Sequence, residues 1–288
     1  MMKYQIVVNN KIKSSQYEIK ISINKKYDFI GIVLPDSYNF FCTRSKFPHI
    51  PMLVAKQKSE HMITSNDIKK YATQIGADLC GIASVDRFDD APKGFHPTDV
   101  YKDTKSIVSF ACRIPRTSLY IDSPSPYTAI EDIILSRVNQ IALTITLFIE
   151  QYGFNAVMIP SMPYDYWDAE SKTGKGILSL KHLGYKAGLG YIGKNSLLCN
   201  ESLGNLIKLG AVITDAVLVQ DKLIDSDMCL DSCNICIDSC PVGAIGLNSV
   251  VTQKNCREYA EINNKRGVEI YACHECRKVC PNSNGYKR

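Results

Sequence analysis

Hydrophobic and polar positions change rhythm twice along the chain. In the first sixty residues, short stretches at 4–8, 17–23 and 29–34 carry strand-like patterns. From Thr64 the period lengthens. Ser65 and Asn66 suit a helix start, the pattern runs through Ala72 to Ile75, and Gly76 stops it. Residues 78–82 and 106–112 read as buried strands. Ile130, Ile133, Ile134, Val138, Ile141, Ile145 and Phe148 then recur at steps of three and four, which predicts one long buried helix ending near Gly153. Residues 157–159 read as a short strand, 177–186 as a helix, and 206–219 contain another strand. Beyond Asp221 the periodicity gives way to cysteines. The expected organisation is a lead-in over 1–60, an α/β domain over 61–222 and a cysteine-rich domain over 223–288.

Composition adds little to this. The 288 residues are 45% hydrophobic and 22% charged, an ordinary globular balance. The net charge is +5, and much of the excess lies in the first 70 residues, with 12 Lys/Arg against 5 Asp/Glu. A solvated surface is the simpler reading of that excess than an acidic or nucleic-acid partner. The first residues lack the apolar core and small-residue cleavage site of a secretory signal. The longest apolar run, 141–149, is far short of the roughly 20 residues that span a bilayer. The expectation is a cytoplasmic protein with no membrane partner.

Cysteine changes the picture. Eight of the twelve fall in the last sixty residues. The first run is Cys229-x3-Cys233-x2-Cys236-x3-Cys240-Pro241, and the second is Cys273-x2-Cys276-x3-Cys280-Pro281 with Cys256 ahead of it. This is a doubled bacterial-ferredoxin arrangement. Three thiolates on one tight turn serve one cubane, and the Cys before Pro serves the other. One 4Fe–4S cluster would then take Cys229, Cys233, Cys236 and Cys280, and the other Cys240, Cys256, Cys273 and Cys276. The x3 spacing after Cys229 is one residue longer than usual and needs a bulged turn. Zinc also binds CxxC pairs but does not need the Cys-Pro endings. Cys42, Cys80, Cys112 and Cys199 stand apart in sequence, and Cys80 and Cys112 fit as packing residues of apolar strands.

The segment 188–198, GLGYIGKNSLL, fits two glycine patterns at once. As a dinucleotide fingerprint it lacks the preceding strand, because a helix-like run leads into it. As a P-loop it lacks the hydroxyl, because Asn195 stands where Ser or Thr would hold magnesium. Two readings remain: a glycine-rich helix stop, or a close approach of backbone to a large flat cofactor.

Here a resemblance enters. Residues 186–198 (KAGLGYIGKNSLL), 204–218 (GNLIKLGAVITDAVL) and the doubled cysteine runs resemble the epoxyqueuosine reductases, as do 75–83 and 91–94. The resemblance covers about 62–284. It implies an α/β (α+β) fold: a nitroreductase-like cofactor domain holding cobalamin, followed by a bacterial-ferredoxin-like domain with two 4Fe–4S clusters. The reductive dehalogenases share that plan. It also implies an electron path from an external low-potential donor, such as a ferredoxin or flavodoxin, through both clusters to cobalt. Gly188, Gly190, Gly193, Lys194 and Asn195 would lie near the corrin.

Two departures bear on the substrate. The family's tRNA-modifying members carry an acidic proton donor thirteen residues before the position of Ala187, where this chain has Gly174. They also carry C-terminal helical repeats that hold tRNA, whereas this sequence ends at Arg288. Reduction of epoxyqueuosine in tRNA is therefore not expected, and the acceptor is another small molecule or a protein. The nearest alternative acids are Asp165 and Asp168, among the aromatics of Tyr164-Asp-Tyr-Trp-Asp168; a polar loop with aromatic anchors is the plainer reading of that stretch. His182 and His274 fit structural roles better than cobalt ligation. Beside an oxidoreductase stand two further readings: an electron-transfer protein without its own catalytic site, and a corrinoid- or flavin-binding module without catalysis.

Overall fold

The structure is a computed structural model. It describes residues 62–224, 229–246 and 249–286, and before them the backbone of four strands. The chain forms two units, Met1–Met62 and Ile63–Arg288. In the first, β1 (Lys20–Asn24), β2 (Phe29–Val33), β3 (Tyr38–Thr43) and β4 (Val54–Gln57) pair in sequence order as an antiparallel meander. The expected strand at 4–8 lies outside the described residues.

The second unit opens with α1 (Ser65–Gln74). Its cap is Thr64 rather than Ser65 or Asn66: Thr64 Oγ1 accepts from Asp67 N at 3.2 Å, and Asp67 Oδ2 accepts from Thr64 N at 3.0 Å, a reciprocal box. Ser65 is free to donate elsewhere, to Val219 O at 2.7 Å. Gly76, at φ +103°, turns the chain out of the helix. Then come β5 (Leu79–Ser84), the short α2 (Pro97–Val100), β6 (Ser106–Arg113), α3 (Pro124–Gln151) and β7 (Ala156–Ile159). A hairpin of β8 (Tyr166–Asp168) and β9 (Thr173–Lys175), α4 (Leu180–Lys186), the pair β10 (Tyr191–Ile192) and β11 (Leu198–Cys199), and β12 (Ile207–Thr214) follow.

The central sheet runs β5-β6-β12-β7, antiparallel throughout. Alternation along β6 and β12 sends side chains to two cores. Val108, Phe110 and Val212 meet α1 and α3 through Ile68, Ala72, Ile134, Val138 and Ile145. Ile107, Ala211 and Ile213 meet Leu183 of α4 and Ala187 at its C-terminal cap on the other face. The result is three layers, helix–sheet–helix. By length and composition α3 is apolar enough to cross a membrane, which the nine-residue run did not reveal. Its buried stripe is the one that packs on the sheet.

The cysteine-rich end carries α5 (Ile235–Asp238), α6 (Gln253–Ala260), the hairpin of β13 (Glu261–Asn263) and β14 (Glu269–Tyr271), and α7 (Glu275–Lys278). It packs within the second unit, so contacts do not separate residues 223–288 from the α/β portion.

Candidate functional site

Each cysteine run folds as a turn into a short helix, with Cys236 on α5 and Cys276 on α7. The thiols lie near one another, and their neighbours follow the two foursomes of the sequence assignment except that Cys276 also has Cys236 nearby. Cys236 has Cys229, Cys280 and Cys233 as charged neighbours, and burial followed by those neighbours raises its pKa. Burial likewise raises Cys256, whose thiol neighbours are Cys273 and Cys240. Burial pushes Cys276 up to about 11, with Cys256, Cys273 and Cys236 nearby. Backbone amides already point at two sulfurs: Ala244 N donates to Cys240 Sγ at 3.2 Å and Lys194 N to Cys229 Sγ at 3.5 Å. Among the described residues, no three His, Cys, Asp or Glu side chains converge as ligands of one ion would.

Cys199 is not isolated. It is buried in β11 beside the Cys280 thiol, a neighbour that raises Cys199 and lowers Cys280. Nothing in the cysteine spacing marks it, because the contact joins residues 81 positions apart. Cys80 and Cys112 are packing thiols, pushed by burial up to about 12 and about 11.

The glycine loop packs closely against its own chain. A Cβ on Gly188 would stand 2.3 Å from Lys222 O, and one on Gly190 only 2.1 Å from Cys199 O. These glycines admit neighbouring backbone of the same chain. Lys194 reaches into the first cysteine run: its Nζ donates to Asp231 O at 2.6 Å, Cys233 O at 2.9 Å and Asn234 Oδ1 at 3.2 Å. Asn195 Nδ2 donates to Cys276 O at 3.1 Å. The loop therefore holds both cysteine runs against the α/β portion. Lys194→Met should loosen the 229–234 turn by on the order of 2 kcal/mol, the worth of hydrogen bonds from a charged donor. The check is faster amide hydrogen exchange over 229–234 than in the parent protein.

Beside this junction lies a cleft of about 770 Å³, within the roughly 300–1,000 Å³ of small-molecule and cofactor sites. Ser196, Leu197 and Leu198 line it, but none of the five glycine-loop residues named above does. Cys273 of the second foursome opens onto it. Its polar wall comes from three elements. Glu131 of α3, 5% exposed, pairs through Oε2 with Lys208 of β12. Arg277 of α7 donates to Asn205 O. The Tyr127 hydroxyl stands beside Glu131 and Arg277, and burial raises its pKa. Sequence reading missed Glu131, although an acid in the stripe 127, 131, 134, 138 of an apolar helix was a signal.

Asp165 and Asp168 do not line this cleft. Asp165 borders a smaller pocket of about 270 Å³. Asp168 accepts from the Ser171 hydroxyl and, at 2.7 Å, from Ser171 N, which lowers its pKa. That favours the ionised form, so it is a poor acid near neutrality. His182 accepts or donates to Ser179 Oγ at 2.7 Å, and His274 Nε2 meets Leu119 O at 3.0 Å while its ring stacks on Tyr127.

Gly174 is buried in β9. The place a side chain would take is filled by Tyr164, whose ring carbon would be 2.7 Å from a Cβ. Gln253 of α6 clamps the glycine, accepting from Gly174 N at 2.9 Å and donating to Gly174 O at 3.2 Å. Arg257 donates to Tyr164 Oη at 2.8 Å and covers the rings of Tyr164 and Trp167 at 4.9 and 4.8 Å. Gly174→Ala should cost about 1–3 kcal/mol by overpacking. A thermal melt checks this, and adding Tyr164→Ala should return part of the loss.

No family model matches the chain. An epoxyqueuosine reductase of Staphylococcus aureus is 26% identical over 250 residues, 76% of this chain and 64% of that protein. One of Cyclobacterium marinum is 36% identical over 106 residues, 33% and 34% of the two chains. The match thus spans less than two thirds of the length of these relatives. Among solved structures, the epoxyqueuosine reductase of Streptococcus thermophilus superposes with a TM-score of 0.53 at 18% identity, over 77% of this chain and 68% of that one. A catabolic reductive dehalogenase gives 0.60 at 18% identity, over 79% and 33%. Both likenesses show a shared fold.

Proposed function

We propose that this chain is a relative of the epoxyqueuosine reductases and an oxidoreductase that binds two 4Fe–4S clusters and passes single electrons to an acceptor in the cleft. The observation that supports the reading is the nearness of the eight cysteines of the two runs to one another, with Cys273 on the cleft wall. Cys229, Cys233, Cys236 and Cys280 would hold the outer cluster, and Cys240, Cys256, Cys273 and Cys276 the inner one. Residues 61–222 would form the nitroreductase-like portion and 223–288 the ferredoxin-like portion. One solved reductive dehalogenase is described as B12-dependent, and the cleft's aromatic and polar lining fits a corrinoid. When bound, the clusters supply single electrons and the corrinoid a strongly reducing metal centre.

This chain's own residues do the rest. Lys194 and Asn195 hold the two cysteine turns in register with the cleft. Tyr127, Glu131, Lys208 and Arg277 offer the ligand a polar, ion-paired wall. Gly174, with the Tyr164 ring in the place of an acid, supports a substrate other than epoxyqueuosine in tRNA. The partners of this reading are a low-potential electron donor and a small-molecule or protein acceptor, in the cytoplasm.

The test offers hydroxocobalamin to anaerobically reconstituted protein, supplies a reduced flavodoxin, and follows the corrinoid spectrum. Reduction of bound corrinoid by the parent protein, and its loss in Cys273→Ala, is the expected result. Clusters that reduce while no corrinoid is retained would favour the electron-transfer reading instead.

A further inference from the structure

Among the described residues, three buried side-chain atoms lack any hydrogen-bond partner: Glu131 Oε1, Asn205 Oδ1 and His274 Nδ1. Two of the three side chains, Glu131 and Asn205, line the cleft. Each is more than nine-tenths buried, at 5% and 0% exposure. A buried acceptor left open costs stability, and folds rarely tolerate two of them in one place without a partner.

The chemistry of that partner follows from what the other atoms do. Glu131 Oε2 already faces the Lys208 ammonium, so the carboxylate's charge is compensated. Lys181, Arg257 and Arg277 also line the cleft, and only Glu261 and Glu269 oppose them. A cationic ligand would therefore enter a wall already rich in positive charge. Asn205 Nδ2 donates to Arg277 O at 3.4 Å, which fixes the amide's orientation and leaves its oxygen as the free end. Both open atoms are acceptors, and both call for N–H or O–H donors without charge.

We propose that Glu131 and Asn205 form a two-acceptor recognition site for a ligand that presents neutral hydrogen-bond donors. Resting on the function proposed above, the ligand is the corrinoid and the donors are its peripheral carboxamides. Specificity here is of the kind a polar site achieves by leaving its own groups unpaired against a ligand that lacks the donors.

The test is the affinity of hydroxocobalamin for the cluster-loaded protein, read from the corrinoid absorbance, with the iron–sulfur absorbance as the control for folding. In Glu131→Gln the amide oxygen stays with Lys208, so an NH2 group faces the open position and an acceptor becomes a donor. Weakening by about tenfold or more, the loss of one hydrogen bond to a charged acceptor, is expected. Asn205→Ala should weaken binding as well, and it decides the matter if Glu131→Gln fails to fold. Unchanged affinity in folded variants, with tight binding by the parent protein, would overturn the two-acceptor site while leaving the proposed function standing. No binding by the parent protein would overturn both.

Discussion

Replacing Cys276 by alanine is expected to remove about half the iron. The parent chain should hold about eight irons, the sum of two four-iron clusters, and the variant about four. In the proposed assignment Cys276 is a ligand of the second cluster; it sits on α7 with Cys256 and Cys273 nearby, and its carbonyl accepts from Asn195. Loss of its cluster should also release the structure around it, because ligand binding and folding are coupled when the ligands sit on short, weakly self-sufficient elements. The helices α5 and α7 have four residues each, too few to stand without what they surround. A marked fall in melting temperature should accompany the lost iron. Cys199→Ala, in contrast, should keep full iron, since both foursomes are complete without it. Iron analysis beside a thermal melt checks both variants.

The second large effect is expected at Gly190. A Cβ there would lie 2.1 Å from Cys199 O and 2.8 Å from the Cys199 carbonyl carbon. Both are backbone atoms, so no rotamer change relieves the contact. The strand pair β10–β11 would have to separate, and with it the placing of Cys199 beside Cys280. Gly190→Ala should cost more than the roughly 1–3 kcal/mol of ordinary overpacking, enough to lower soluble yield. Gly94→Ala is the contrast. Gly94 has open space around it, so only its positive φ of +86° opposes a side chain, at a cost of about 1 kcal/mol. Denaturant unfolding of the two variants separates them.

These two positions show what the chain's text reveals and what it hides. The neighbourhood of the cysteines is nearly local information. Two short runs and one outlier must meet if the turns are to face each other, and spacing alone carries that. The long helix and the central strands were equally plain, because their apolar periods are long and unbroken. The α4 start was misread by three residues: Ile177 and Leu178 pack in the second core before the helix begins at Leu180. The glycine loop was harder. Its motif announces close backbone approach, but whether the approaching group is a cofactor or Cys199 and Lys222 depends on contacts distant in sequence. The same holds for Gly174, where an absent acid was visible but the Tyr164 ring and the Gln253 clamp were not. Glu131 and Lys208 belong to different elements, 77 residues apart, so their pairing had no signal beyond a lone acid in an apolar stripe.

The measurement that bears most directly on the two-cluster oxidoreductase is metal content. Protein purified and reconstituted without oxygen would be incubated with hydroxocobalamin, desalted, and analysed for iron, cobalt and zinc per chain. About eight irons with cobalt retained near one per chain is the expected result. Little iron with tightly held zinc would contradict it.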